Sequence, residues 1–102
     1  MATTAPTLDD LIRELRALVP ELKARGVTRL AVFGSRARGD HRPDSDLDVL
    51  LEVAASSSFS AVGLVGLERH LSEWVGVETR IAMPGSDSPL LDRIKGDLIE
   101  II

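Results

Sequence analysis

Leu8, Leu11, Ile12, Leu15, Leu18, Val19 and Leu22 recur at three- and four-residue intervals, which lays one apolar stripe along a helix. Thr7-Leu8-Asp9-Asp10 has the form of a capping box, with Thr7 as N-cap and Asp10 in the first turn. Pro20 has no N–H to donate, so it predicts either a kink or a second short helix starting there. Gly26 is placed to end that segment as the C′ residue. Val27–Phe33 follows as a strand running into Gly34-Ser35. Residues 36–45 carry Gly39, Pro43 and several charges, so they read as a loop opening with one helical turn. Asp46–Val53 is a second strand, and Ala54–Ser58 is small and polar, a connector.

Helical spacing returns from Ser60 to Val75 through Val62, Val65, Leu67, Leu71 and Trp74. Gly63 and Gly66 weaken its first half by about 1 kcal/mol each relative to alanine. Val77–Met83 reads as a third strand ended by Pro84-Gly85. Ser88-Pro89 supplies an N-cap and a proline at the first helical position for a last helix through Lys95. Leu98–Ile102 is an apolar tail. The order is α-β-β-α-β-α without an internal repeat. The expected fold is α/β (α+β), a small mixed sheet of about three strands with helices packed on one face. Part of the tail, or the apolar side of the first helix, is expected in an oligomer or partner interface.

Composition narrows the class. A chain of 102 residues has room for a single domain, 1–102, and 44% apolar residues give it a core. Aromatics are only 3%, so aliphatic packing carries that core. The absence of cysteine excludes disulfides and thiolate metal sites. No secretory signal and no run of 18 apolar residues is present, so a cytoplasmic protein is expected. The net charge of −4 disfavours nucleic acid as the main partner. Yet six of the twelve cationic residues, Lys23, Arg25, Arg29, Arg36, Arg38 and Arg42, lie within 20 positions. Such a cluster suits a compact anion.

The chemistry gathers where the first two strands meet. On a strand, Asp46 and Asp48 share a face while Leu47, Val49 and Leu51 take the other, with the two Cα atoms about 6.6 Å apart. Two such carboxylates repel by roughly 3 kcal/mol at an effective dielectric near 20. That is large beside a total stability of about 5–15 kcal/mol. A divalent cation removes the conflict, and all-oxygen ligands select magnesium or manganese over zinc. Gly34 lets another group approach the backbone closely, and Ser35 with the turn after it aims N–H groups at an anion. A phosphate cradle beside a metal site is what nucleotidyl transfer requires.

Gly34-Ser35, ten residues, then Asp46-Leu47-Asp48 resembles the signature of the DNA polymerase beta-like nucleotidyltransferase superfamily. The surrounding Gly-Ser-Arg-Ala-Arg-Gly-Asp and Arg-Pro-Asp-Ser-Asp-Leu-Asp are similar to its minimal nucleotidyltransferase branch, and the likeness covers nearly the whole chain. The resemblance implies that Gly34 and Ser35 hold the triphosphate of ATP or another nucleotide, and that Asp46 and Asp48 bind magnesium. It also implies a partner. Stand-alone members are commonly antitoxins of HEPN-domain toxins, and some transfer AMP from ATP onto the toxin. A third family carboxylate falls at Arg80 here, and an arginine neither ligates a cation nor accepts a proton at neutral pH. Glu78, two residues earlier on the same strand face, is the candidate substitute.

Arg36, Arg38 and Arg42 have two readings, phosphate contact or solvated loop; Arg36 and Arg38 are taken as nucleotide-binding. His41 is expected solvated, His70 on the surface, and Trp74 in core or helix-end packing. Two functions compete: an enzyme moving AMP onto a partner protein, and a nucleotide-binding antitoxin or regulatory subunit that acts by contact alone. Arg80 favours the second.

Overall fold

A computed structural model describes residues 7–42, 44–54, 61–83 and 89–102, with the side chains of residues 61 and 62 left aside. Pro43, most of the Ala54–Ser58 connector, Ser60, Val62, Pro84-Gly85 and the Ser88 cap lie outside this description. The elements run α1 Leu8–Ala17, α2 Val19–Ala24, β1 Val27–Phe33, α3 Ser35–Arg38, β2 Leu47–Val53, α4 Ala61–Val75, β3 Thr79–Ala82, α5 Pro89–Ile94 and β4 Ile99–Glu100.

Local chemistry accounts for the first half of this order. The Thr7 side chain accepts from the Asp10 N–H at 3.1 Å while the Asp10 carboxylate accepts from the Thr7 N–H at 3.0 Å, the expected capping box. Pro20 sits in the first turn of α2, a separate helix that starts one residue earlier at Val19, instead of kinking α1, since its missing N–H costs nothing there. Gly26 follows the Arg25 C-cap at φ 98°, the left-handed setting that ends a helix.

The sheet has four strands in the order β3-β2-β1-β4, one more than expected. β1 runs antiparallel to β2 and β4, and β2 runs parallel to β3 through the α4 crossover. The extra strand comes from the apolar tail. Ile99 and Glu100 pair with Val32 and Ala31, while Ile99, Ile101 and Ile102 pack on the core. Leu11 and Leu15 of α1 are fully buried as well. Part of the apolar surface expected at an interface is thus used inside the chain, while Ile12, Ile99, Ile101 and Ile102 stay partly exposed.

The helices also depart from the one-face arrangement. Leu30, Val32, Leu47, Val49 and Leu51 meet Leu11, Leu15, Leu18 and Leu22 of the first two helices and Leu67, Leu71 and Val75 of α4. Ala31 and Leu50 point to the other face, where they pack with Ile94 of α5 and with Leu90, Leu91 and Leu98. Period-two alternation explains this: strands apolar at both parities need cover on both sides. Within α4 the buried stripe is Leu67, Leu71 and Val75, whereas Val65 is 64% exposed. Trp74 is half exposed and donates its Nε1–H to the Glu14 carbonyl at 3.0 Å, tying α4 to α1.

β3 is an edge strand, and α4 caps it. The Thr79 N–H donates to Ser72 Oγ and the Ile81 N–H to Glu68 Oε2, both at 2.8 Å. Those side chains stand one helical turn apart, matching N–H groups two residues apart on the strand. Removing an acceptor leaves a half-buried N–H unpaired, which costs about 1–3 kcal/mol. We therefore expect Glu68→Leu to lower the unfolding free energy by roughly that amount in urea titrations, and Glu68→Gln, which keeps an oxygen acceptor, by clearly less.

Candidate functional site

β1 ends where β2 begins, and the β1–β2 register sets Phe33 opposite Asp48. The next residue, Gly34, adopts φ 80° and ψ −159°, a conformation open to glycine alone, and caps α3. A Cβ on Gly34 would lie 2.5 Å from Asp48 Oδ2. Any side chain there would collide with the carboxylate, so the Gly-Ser turn and the acidic strand meet in direct contact.

Arg36 fixes the other end of this arrangement. It is only 4% exposed, and its Nε and Nη2 donate to the Ser45 carbonyl at 3.1 and 2.9 Å. This corrects the phosphate-contact reading of Arg36. Its guanidinium is turned into the protein, where it joins α3 to the residue before Asp46. An arginine in an arginine-rich stretch carries no sequence mark that would separate this role from a surface one. Ser45 Oγ also accepts from the Arg42 N–H at 2.8 Å, which closes the loop leading into β2.

Arg38 stays at the surface, paired with Asp40 and Asp97 at 3.2 Å each. His41 is partly buried, and its Nδ1 has no hydrogen-bond partner among the described residues. His70 is on the surface as expected, with Nε2 3.2 Å from Glu21 Oε2.

The β2–β3 register decides what faces the carboxylates. It pairs Asp48 with Arg80, and Leu47 with Thr79. Arg80 Nε stands 2.6 Å from Asp46 Oδ2, an ion pair whose arginine side chain is 69% exposed. Glu78 precedes the strand, and its carbonyl accepts from the Leu47 N–H at 2.8 Å. Its side chain lines a cavity of about 610 Å³ between α4 and β3, with Glu68, Arg69, Ser72 and Glu73 among the other walls. The sequence reading missed Glu68 and Ser72, which hold β3 and so set this register. Their four-residue spacing beside Leu67 and Leu71 was the available signal.

Electrostatics mark the strain in the pair. Burial pushes the Asp48 carboxyl above the ordinary aspartate range, and the neighbouring Asp46 charge pushes it further, with Arg80 and Arg38 opposing. Among the described residues no set of three acidic, histidine or cysteine side chains gathers around a common point. Two carboxylates in mutual repulsion, with a glycine in place of any side chain beside Asp48 Oδ2, fit a hard divalent cation. Magnesium suits such a partial site because it is usually bound by one or two carboxylates together with water and phosphate oxygens.

A family model described as a nucleotidyltransferase domain matches residues 9–100. A candidate protein adenylyltransferase of Methanocaldococcus jannaschii is 35% identical over 88 residues, covering 85% of this chain and 92% of its own length. The protein adenylyltransferase MntA of Thermococcus cleftensis is 33% identical over 81 residues, covering 78% and 80%. Among solved structures, a candidate minimal nucleotidyltransferase superposes with a TM-score of 0.76 at 28% identity, over 95% of this chain and 98% of that one. A toxin-antitoxin complex with AMP-PNP gives a TM-score of 0.68 at 15% identity, over 87% and 72%, a likeness of fold.

The raised Asp48 carboxyl yields a stability test. Its ionised form is less favoured in the folded chain than in the unfolded one, so the charge subtracts from stability above both pKa values, and the penalty fades as pH falls. Asp48→Asn removes it. In metal-free buffer at neutral pH the variant should melt at a higher temperature than wild type by calorimetry, and the gap should narrow on acidification. A variant that melts lower at neutral pH overturns this account.

Proposed function

The chain belongs to the nucleotidyltransferase domain family, and from that premise we propose that it transfers AMP from ATP to a partner protein in the cytoplasm. The partner fits a helical HEPN-type toxin, with this chain as antitoxin and as the single catalytic unit. The contact of Gly34 with Asp48 carries the reading, because it sets the Gly-Ser turn directly against one member of the acidic pair. The names of the archaeal relatives and the fold shared with a toxin-antitoxin complex support it.

In this reaction a hydroxyl oxygen of the partner attacks the α-phosphorus of ATP. The bond from that phosphorus to the bridging oxygen breaks, and pyrophosphate leaves in line. Gly34, Ser35 and the opening of α3 hold the triphosphate, where a helix start favours negative charge. Arg38 adds a cation to the same side. Asp46 and Asp48 hold magnesium or manganese, which when bound polarises the phosphoryl oxygens. For Glu78 to take the proton of the attacking hydroxyl, its side chain has to turn from the α4–β3 cavity toward the acidic pair.

A second reading has its own observation. Arg80 lies on Asp46 at 2.6 Å, so the chain also suits a nucleotide-binding antitoxin with weakened chemistry. The two separate by assay. With radiolabelled ATP, magnesium and the protein encoded beside it, the wild type should label the partner. Asp46→Asn and Asp48→Asn should each reduce labelling by at least on the order of 100-fold, since losing a residue that holds the metal costs no less than the roughly 10–100-fold of losing a partner that supports one. Unlabelled partner with intact magnesium-dependent ATP binding would select the second reading.

Glu78 and Arg80 give a further comparison. Glu78→Gln should depress transfer by about 100-fold, as losing a general base does, while leaving ATP affinity near wild type. Arg80→Asp should increase transfer. Full activity in Glu78→Gln removes that residue from the mechanism.

A further inference from the structure

The position of Arg80 bears on how many cations the site takes. Arg80 is paired in register with Asp48 across the β2–β3 ladder, and its Nε touches Asp46 Oδ2. A guanidinium stays charged at any physiological pH, so this is a permanent positive charge set on Asp46, with Asp48 as the strand neighbour. Its side chain is exposed and free to turn, but its Cα is held by the ladder and by the Glu68 and Ser72 caps on either side. In the observed rotamer the charge lies on Asp46, and the register sets Arg80 beside Asp48.

Sites that use two divalent cations hold them about 3.5–4 Å apart, bridged by shared oxygen ligands. Here the oxygens that would have to be shared are those of Asp46 and Asp48, and Asp46 Oδ2 already carries the guanidinium. Among the described residues no third carboxylate or histidine gathers with the pair to hold a second ion. One divalent cation balances the two aspartates, and the guanidinium then leaves one positive charge facing the phosphates. A second divalent cation would have to settle against that guanidinium on ligands already shared.

We propose that Arg80 stands in for a second metal: the site takes one divalent cation with the nucleotide, and the guanidinium supplies the remaining positive charge to the triphosphate. This rests on the nucleotide-binding reading above. Arg80 then contributes to nucleotide affinity even if no transfer occurs.

The test counts metal. Manganese bound per chain is measured by spin-counting electron paramagnetic resonance after equilibrium dialysis with a non-hydrolysable ATP analogue. Wild type and Arg80→Lys should bind one manganese ion per chain with the nucleotide, and Arg80→Asp should bind two. Arg80→Ala should stay at one ion, with nucleotide affinity reduced about tenfold, the loss expected for a single charge-assisted contact. Two ions in wild type, or one in Arg80→Asp, overturns the proposal while leaving nucleotide binding standing. No nucleotide-dependent manganese binding in any variant overturns both this inference and the reading beneath it.

Discussion

The contact between the Gly34 backbone and the Asp48 carboxylate is the constraint around which the rest of the site is arranged. It exists because β1 and β2 are antiparallel neighbours whose register sets Phe33 beside Asp48. One face of β2 is committed to the core through Leu47, Val49 and Leu51, so Asp48 must emerge on the other. Shifting the strand by one residue would bury the carboxylate and expose the leucines, a change no domain of this size tolerates. The acidic pair is therefore fixed by hydrophobic packing on the far side of the sheet. Arg36 completes the frame by binding the Ser45 carbonyl from within α3.

Much of this was legible in the sequence, for physical reasons that differ by element. β1 was read at its observed bounds because glycine closes it on both sides and its residues favour extended backbone. α1 and α2 were legible because a reciprocal cap and a proline are local chemistry, independent of distant packing. The Gly-Ser turn and the acidic pair could be singled out together because the carboxylates repel without a ligand and the turn falls ten residues before them at the end of the neighbouring strand. β4 was not legible. Two residues of an apolar tail have no periodicity, and only the open edge of β1 makes them a strand. The cover of α5 over Ala31 and Leu50 was hidden likewise, since a small residue on one strand and a single leucine on another do not announce a second apolar face.

Arg80 lies between these cases. Its face of the strand follows from alternation, but its distance from the aspartates is a matter of register between segments about 30 residues apart, set by side chains on α4. Glu78 shares that ambiguity: β3 places it just outside the ladder, beside a cavity, with only its backbone bonded to β2. Local propensity carries no information of this kind. It is supplied by the tertiary structure.

The side-chain cap on β3 also governs how copies of this chain meet one another. An open strand edge is a template onto which a second molecule can add its own strand, the route by which sheets grow into fibres. Here the Thr79 and Ile81 N–H groups are already bonded to Ser72 and Glu68, and a carboxylate stands along that border. An incoming strand finds those donors occupied and meets negative charge on an acidic molecule. The chain can thus crowd at high concentration, as during rapid synthesis, without this border seeding aggregation.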